Sequence, residues 1–331
     1  MSNSRAKFVV YIPAYTDFKL AAQQSRTLKK EFNSLSFELV TIISINSISL
    51  DEKEMRELTD SCDEFIYTEQ NLGGDTNINL GFYKALSKSA DFFWILSAND
   101  VLKEGATKEI QGALENGDSD LLVIGKLKKG QTGQLENAFY NEGLLLPLGL
   151  ISAVIYKTEK FKNGFAQSMK LAWTGWGQLS VIQSAIFEYK KISYQVIDEI
   201  LIYDRELRIP YVQVLNRNQS LYRHSFFGYP LIIAILFRSD KRLSKKIIRL
   251  WLSSNWFKIG LFKSREYNSY SINSHVNVFW TENLARPLIL RSGLFSPILY
   301  LIGNLNFLWM FEKIDSSWIG RRIHAYKSIL K

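Results

Sequence analysis

A chain of 331 residues with 47% hydrophobic content can bury one large core or two smaller ones, which excludes a disordered or fibrous protein. Cys62 is the only cysteine, and His224, His275 and His324 are the only histidines, so a disulfide framework and a cysteine-based zinc site within one chain are excluded and a histidine metal cluster is not expected. The net charge of +9 is uneven: residues 220–331 hold 17 Lys and Arg against 5 Asp and Glu, a net +12, which leaves residues 1–219 at −3.

The amino-terminal stretch MSNSRAKFVVYIPAY lacks the apolar core of a secretory signal, so export by that route is not expected. Residues 7–15 read as a buried strand ended by Pro13, followed by a helix that opens near Asp17 and runs to about Ser34. A second strand is expected over 37–45, a charged helix over 51–62 and a short strand over 64–68. The Gly- and Asn-rich stretch 71-NLGGDTNINLG-81 reads as a loop leading into a helix through Lys88. The next strand, 92-FFWILS-97, stops at a small polar cluster, Ser97-Ala98-Asn99-Asp100, after which a helical pattern begins.

Beyond Ala106 the spacing predicts a helix over 107–117, a strand over 120–127, a polar turn over 128–134 and a strand or short helix over 150–161. A loop with two tryptophans then enters a helix within 171–187, and 193–203 reads as one strand. Strand and helix in alternation predict an α/β protein with a doubly wound, mostly parallel sheet. The charge shift places a domain border near 215, giving a domain over 1–215 and a basic, mainly helical region over 216–331.

Three loops fall at the carboxyl ends of successive strands: 13-PAYT-16, 71-NLGG-74 and 97-SAND-100. On a parallel sheet these ends share one edge, where ligands bind in open α/β proteins. Pro13 and Ala14 bring backbone close to a flat ligand, Gly73 and Gly74 permit close approach or positive φ, and Asn79 can hydrogen-bond a loop shut. Asp100 offers a hard oxygen for Mg²⁺ or Mn²⁺ bridging to a diphosphate. Plainer uses stand beside these. The Asn/Gly stretch can be an ordinary turn, Asp100 a helix cap, and Tyr15 a packing residue.

In order and spacing, 12-IPAY-15, 71-NLGGDTNINLGFYKAL-86 and 93-FWILSANDVLKEGA-106 resemble the family 2 glycosyltransferases, with the closest likeness to the subgroup that builds bacterial surface polysaccharides. The resemblance covers about residues 8–205 and implies the A-type nucleotide-sugar fold, probing a nucleoside diphosphate-sugar as donor. Carried across, it puts Pro13, Ala14 and Tyr15 against the nucleoside with Asn71, Gly73, Gly74 and Asn79 behind them. Ser97, Asn99 and Asp100 would face the metal and the donor sugar. Where the family has an acid at the end of the second strand, Asn46 is the nearest substitute. Ser97 and Asn99 stand where acids are frequent, so Asp100 would be the one charged metal ligand.

The resemblance also implies inversion at the anomeric carbon, with an acceptor-side carboxylate as general base. The corresponding stretch, 173-WTGWGQLSVI-182, contains none. Gln178 can orient a hydroxyl, and Trp173 and Trp176 can stack on an acceptor sugar or anchor a core. By location, Glu142, Asp198, Asp204 and Glu206 are the candidate bases.

In the basic region, cationic residues flank apolar runs such as 226-FFGYPLIIAILFRSDKRLSKKIIRLWL-252, a pattern that favours an anionic membrane surface over nucleic acid. Ser292 to Phe311 is 20 residues without charge, long enough to span, but it holds Pro297, Gly303, Asn304 and Asn306, which favour an interfacial helix. Lys241-Arg242 and Lys245-Lys246 would form its basic companion face. The expectation is a peripheral enzyme on the cytoplasmic face of the plasma membrane, transferring a hexosyl or deoxyhexosyl group to a lipid-linked glycan in O-antigen or capsule-like synthesis. The missing acceptor-side carboxylate keeps a second reading open: an inactive membrane-bound partner of an active transferase.

Overall fold

The computed structural model describes residues 5–14, 18–32, 37–46, 50–70, 73–125, 129–138, 147–172, 176–189, 191–198, 200–203, 229–240, 242–244 and 246–248. By its contacts the chain forms two units, Met1–Gln213 and Val214–Lys331.

The first unit opens with β1 (Ala6–Ala14), α1 (Phe18–Glu31), β2 (Phe37–Asn46), α2 (Glu52–Ser61), β3 (Glu64–Thr68), α3 (Gly74–Ser87) and β4 (Phe92–Ile95). It continues with β5 (Asp100–Leu102), α4 (Ala106–Asn116), β6 (Leu121–Ile124), β7 (Thr132–Gln134), α5 (Leu135–Ala138) and β8 (Val154–Lys157). It ends with α6 (Thr158–Lys170), α7 (Gln178–Glu188), β9 (Ser193–Ile197) and β10 (Leu201–Tyr203). Eight strands form one sheet in the order β3-β2-β1-β4-β8-β6-β9-β7, and β10 pairs with β5 in a second, small one. Strands β1 to β4 pair in parallel, as do β6 and β9, whereas β8 and β7 run against their neighbours. The doubly wound, mostly parallel sheet expected from the alternation of strand and helix is therefore present.

Both faces of β1 are covered, which is why Phe8 to Ile12 form an unbroken apolar run with no exposure. Phe8, Val10 and Ile12 enter a core with Ala21, Ala22 and Leu28 of α1 and Ile110 of α4. On the other side α3, α6 and α7 pack in succession. An aromatic cluster seals that layer to the sheet: the rings of Phe82 and Phe165 stack at 4.7 Å, and Tyr156 meets Phe82 edge-on at 5.9 Å. Helix α2 starts where its sequence says it should, at a capping box in which Asp51 accepts from the Glu54 N–H over 2.7 Å and Glu54 accepts from the Asp51 N–H over 3.0 Å.

Five local expectations are corrected. The stretch read as a loop over 71–81 is helical from Gly74, because the chain turns at Gly73 (φ 84°). After Ser97-Ala98-Asn99 the chain enters the short strand β5 at Asp100, and α4 begins after a left-handed Gly105. The polar turn over 128–134 ends in β7, and the segment after β8 is a 13-residue helix that the mixed pattern of 150–161 concealed. The single strand expected over 193–203 is two, broken between β9 and β10, each in a different sheet.

In the second unit α8 (Tyr229–Leu236) is apolar, with Ile232 and Ile233 fully buried. Ser292 to Phe311, Lys241 and Lys245 lie outside the described residues. Among the described residues no helix is long and apolar enough to cross a membrane.

Candidate functional site

The strand directions place the carboxyl ends of β1, β2, β3, β4, β6 and β9 on one edge of the sheet. Chain order runs outward from β1 through β2 to β3 and then returns to β4 on the other side, so a topological switch point lies between β1 and β4. A crevice is expected at such a point, beyond Ala14 and Ile95.

One wall is the turn into α3. Gly73 O accepts from Asn46 Nδ2 at the end of β2, over 3.2 Å, and from the Asn77 N–H over 3.2 Å. Asn77 is buried and faces the sheet: its Oδ1 accepts from the Tyr11 hydroxyl at 2.7 Å and the Ser44 hydroxyl at 2.6 Å, and its Nδ2 donates to Ser44 O at 3.2 Å. Burial pushes the Tyr11 phenol far up, so it remains a neutral donor. A Cβ at Gly73 or Gly74 would meet nothing within 4 Å, so the backbone forms an open ledge at the amino end of a 14-residue helix. The first N–H groups and the dipole of such a helix favour an anion.

The other wall is the strap from Ser97 to Asp100. Gln24 of α1 reaches it from below, its Nε2 donating to Ser97 O at 3.0 Å and Ala98 O at 2.8 Å. From the side, Ser152 Oγ accepts the Ser97 N–H at 2.9 Å, while Ser152 O accepts from Trp94 Nε1 at 2.9 Å. Asp100 is buried at the start of β5, opposite Tyr203 of β10. Asn99 Oδ1 and Gln24 Oε1 are buried without a hydrogen-bond partner among the described residues. No group of three His, Cys, Asp or Glu that could hold a metal occurs among those residues. The strap offers one carboxylate, Asp100, and beside it in sequence the buried Asn99 amide oxygen, donors that fit a Mg²⁺-type ion only where phosphates supply further ligands.

Of the residues singled out in the sequence, Ala14, Asn46, Gly73, Gly74, Ser97, Asn99 and Asp100 lie along this edge, and half-buried Pro13 stands one residue before the end of β1. Tyr15, Asn71 and Trp173 lie outside the described residues, as do Glu142, Asp204 and Glu206. Asn79 is on the opposite side of α3 from Asn77, two residues being about 200° of helix, and its Oδ1 accepts from Ser168 of α6. Trp176 is buried so tightly on Gly149 that a Cβ there would lie 2.5 Å from its ring. Gln178 is buried too, its Nε2 donating to Gly149 O. Asp198 follows β9, three strands from β4, or about 14 Å at the usual strand spacing, and pairs with Lys129 at 2.9 Å.

Gln24, Ser44, Asn77 and Ser152 were not among the residues read from the sequence. The spacing of Asn77 and Asn79 carried a usable signal, since residues two apart on a helix face nearly opposite ways.

No protein-family model matches the chain, and no curated protein does at a significant level. Solved structures do. Residues 1–349 of TarS from S. aureus, in complex with UDP-GlcNAc, share 15% identity, cover 90% of this chain and 89% of that one, and superpose with a TM-score of 0.51. The mannosyltransferase PcManGT from Pyrobaculum calidifontis, in complex with GDP-Man and Mn²⁺, is 12% identical over 91% of this chain and 86% of its own, with a TM-score of 0.46. The first of these, together with the sheet order, establishes that this chain has the A-type nucleotide-sugar glycosyltransferase fold.

Proposed function

We propose that this chain is a glycosyltransferase that takes a hexosyl or deoxyhexosyl group from a nucleoside diphosphate-sugar. The observation that carries the reading is the β1/β4 switch point, with the open Gly73-Gly74 ledge and the strap that ends in Asp100 at the same edge of the sheet. The fold shared with TarS, whose structure holds UDP-GlcNAc, supports the same donor class. Pro13, Ala14 and Asn46, with Tyr15 and Asn71, would line the nucleoside, and Ser97, Asn99 and Asp100 would face the diphosphate and sugar.

In the reaction an acceptor hydroxyl oxygen bonds to the anomeric carbon as the bond from that carbon to the diphosphate oxygen breaks. The nucleoside diphosphate leaves with the bonding pair, and the hydroxyl proton passes to a base. Asp100 and Asn99 would hold a Mg²⁺ or Mn²⁺ from the protein side, and that cation supplies charge neutralisation for the departing diphosphate. The strap must stay in place for this, which Gln24 and Ser152 provide. In-line attack from the face opposite the departing diphosphate, which inverts the anomeric carbon, needs a base on the acceptor side. Asp198 is held by Lys129, which leaves Glu142, Asp204 and Glu206, of which Asp204 follows directly on β10, the strand paired with the Asp100 segment.

The acceptor is a lipid-linked glycan of a surface polysaccharide, reached from an anionic membrane surface on the cytoplasmic side. The net +12 of residues 220–331 and their apolar runs support that placement. Release of nucleoside diphosphate from a panel of donors, by the parent chain with membranes and by Asp100→Ala, tests the reading. Turnover that is lost in the variant supports it, and equal turnover removes Asp100 from the mechanism.

One observation favours a second reading, an inactive partner of an active transferase. Gln178, in the stretch where the resemblance expects a carboxylate, is buried against Gly149 and offers no proton acceptor. Nucleotide binding without turnover of any donor is its signature.

A further inference from the structure

Resting on the donor-crevice reading, we infer that Asn77 is a positioning residue for the nucleotide, acting through the Gly73-Gly74 ledge. A Cβ at either glycine would meet nothing within 4 Å, so the outer side of the ledge is open. Its location is set from below. Asn77, one turn into α3, is held by a hydroxyl from β1 and a hydroxyl and carbonyl from β2, and its own N–H closes the first helical bond to Gly73 O.

The Tyr11 side of this clamp is itself fixed. A Cβ at Gly81 would lie 2.6 Å from Tyr11 Cδ1, so the ring is wedged beneath α3 one turn beyond Asn77. Two points on one helix face, contact at Gly81 and hydrogen bonds at Asn77, thus determine the height of α3 over the ends of β1 and β2. Asn46 adds a third tie at Gly73 O. The hydrogen-bond roles are also determined: Oδ1 takes two hydroxyl donors and Nδ2 faces a carbonyl, so an amide fits and an alkyl group leaves Tyr11 and Ser44 buried and unpaired.

The test is isothermal titration of the full chain with UDP, GDP, dTDP and CDP, run beside urea unfolding. Ser25→Ala is the control for stability, since Ser25 Oγ makes equally buried bonds to Thr41 Oγ1 at 3.0 Å and to Ser61 O at 2.8 Å, away from the ledge. Asn77→Ala is expected to bind the parent's nucleotide about tenfold more weakly while folded, the loss that about one buried hydrogen bond converts to. Ser25→Ala is expected to unfold earlier with its affinity unchanged. Tyr11→Phe combined with Asn77→Ala is expected to bind no more weakly than Asn77→Ala alone, because the two act as one unit. Parent-like affinity in folded Asn77→Ala overturns the inference and leaves the crevice standing. Equal losses in Asn77→Ala and Ser25→Ala overturn it as well, and no binding by the parent overturns both the inference and the reading beneath it.

Discussion

Gln24 Nε2 donates to Ala98 O over 2.8 Å, and the same nitrogen reaches Ser97 O at 3.0 Å, so one side chain of the first helix holds the strap that ends in Asp100. Replacing it with leucine removes both bonds and leaves two carbonyls facing an alkyl group. Gln24→Leu is expected to lose about 2 kcal/mol of stability at about 1 kcal/mol per net bond, read from urea unfolding. Gln24→Glu should behave differently with pH. Its ionised form repels both carbonyls, so its unfolding midpoint recovers as the pH falls and a carboxyl proton becomes available to donate.

Gly74 and Gly73 separate stability from function. At Gly74, in the first turn of α3, a methyl group meets nothing, and Gly74→Ala should stabilise the fold by about 0.5–1 kcal/mol through the unfolded chain. The same methyl occupies the open ledge, so nucleotide affinity falls while the unfolding midpoint rises. At Gly73, φ of 84° with ψ of 153° is a conformation open essentially to glycine alone, and Gly73→Ala should destabilise by about 1–3 kcal/mol.

Glu64 gives the first unit an acid-sensitive tie. Burial alone would raise its pKa, but Lys84 and Lys88 at the end of α3 outweigh it and hold the carboxyl below its ordinary 4.5. A depressed folded pKa contributes stability that is complete above the unfolded value and disappears as the pH falls through the folded one. Unfolding midpoints should therefore drop through this group as the pH falls below the ordinary 4.5, and Glu64→Gln should flatten that part of the profile while lowering stability at pH 7.

Asp100 is expected to matter to chemistry more than to folding. Asp100→Asn keeps the size of a buried side chain at the β5/β10 pairing but removes the one formal charge of the strap. Donor turnover should fall by about 10²–10³-fold, the usual effect of losing one charge-stabilising group, with far-UV circular dichroism unchanged.

The parallel half of the fold was legible because β1 and β4 are apolar on both faces, β2 and β3 are rich in β-branched and aromatic residues, and each is followed by a helix or turn signal. Asp51 and Glu54 even mark the start of α2. The second half was harder, since β7 and β10 are three residues long and α6 follows Lys157, which makes no side-chain cap. At the site, residues on loops at strand ends could be placed from order alone. Gln24, Asn77 and Ser152 could not, because each acts through a bond 33 to 74 residues away in sequence, and only the packing of α1, α3 and the segment before β8 brings those partners together.

The most direct test of the central claim is calorimetric binding of UDP, GDP, dTDP and CDP to the purified chain, with and without Mn²⁺. The donor-crevice reading predicts that one nucleotide binds and that Mn²⁺ tightens it, an enhancement that Asp100→Asn abolishes. Absence of binding by all four, with and without the metal, would contradict it.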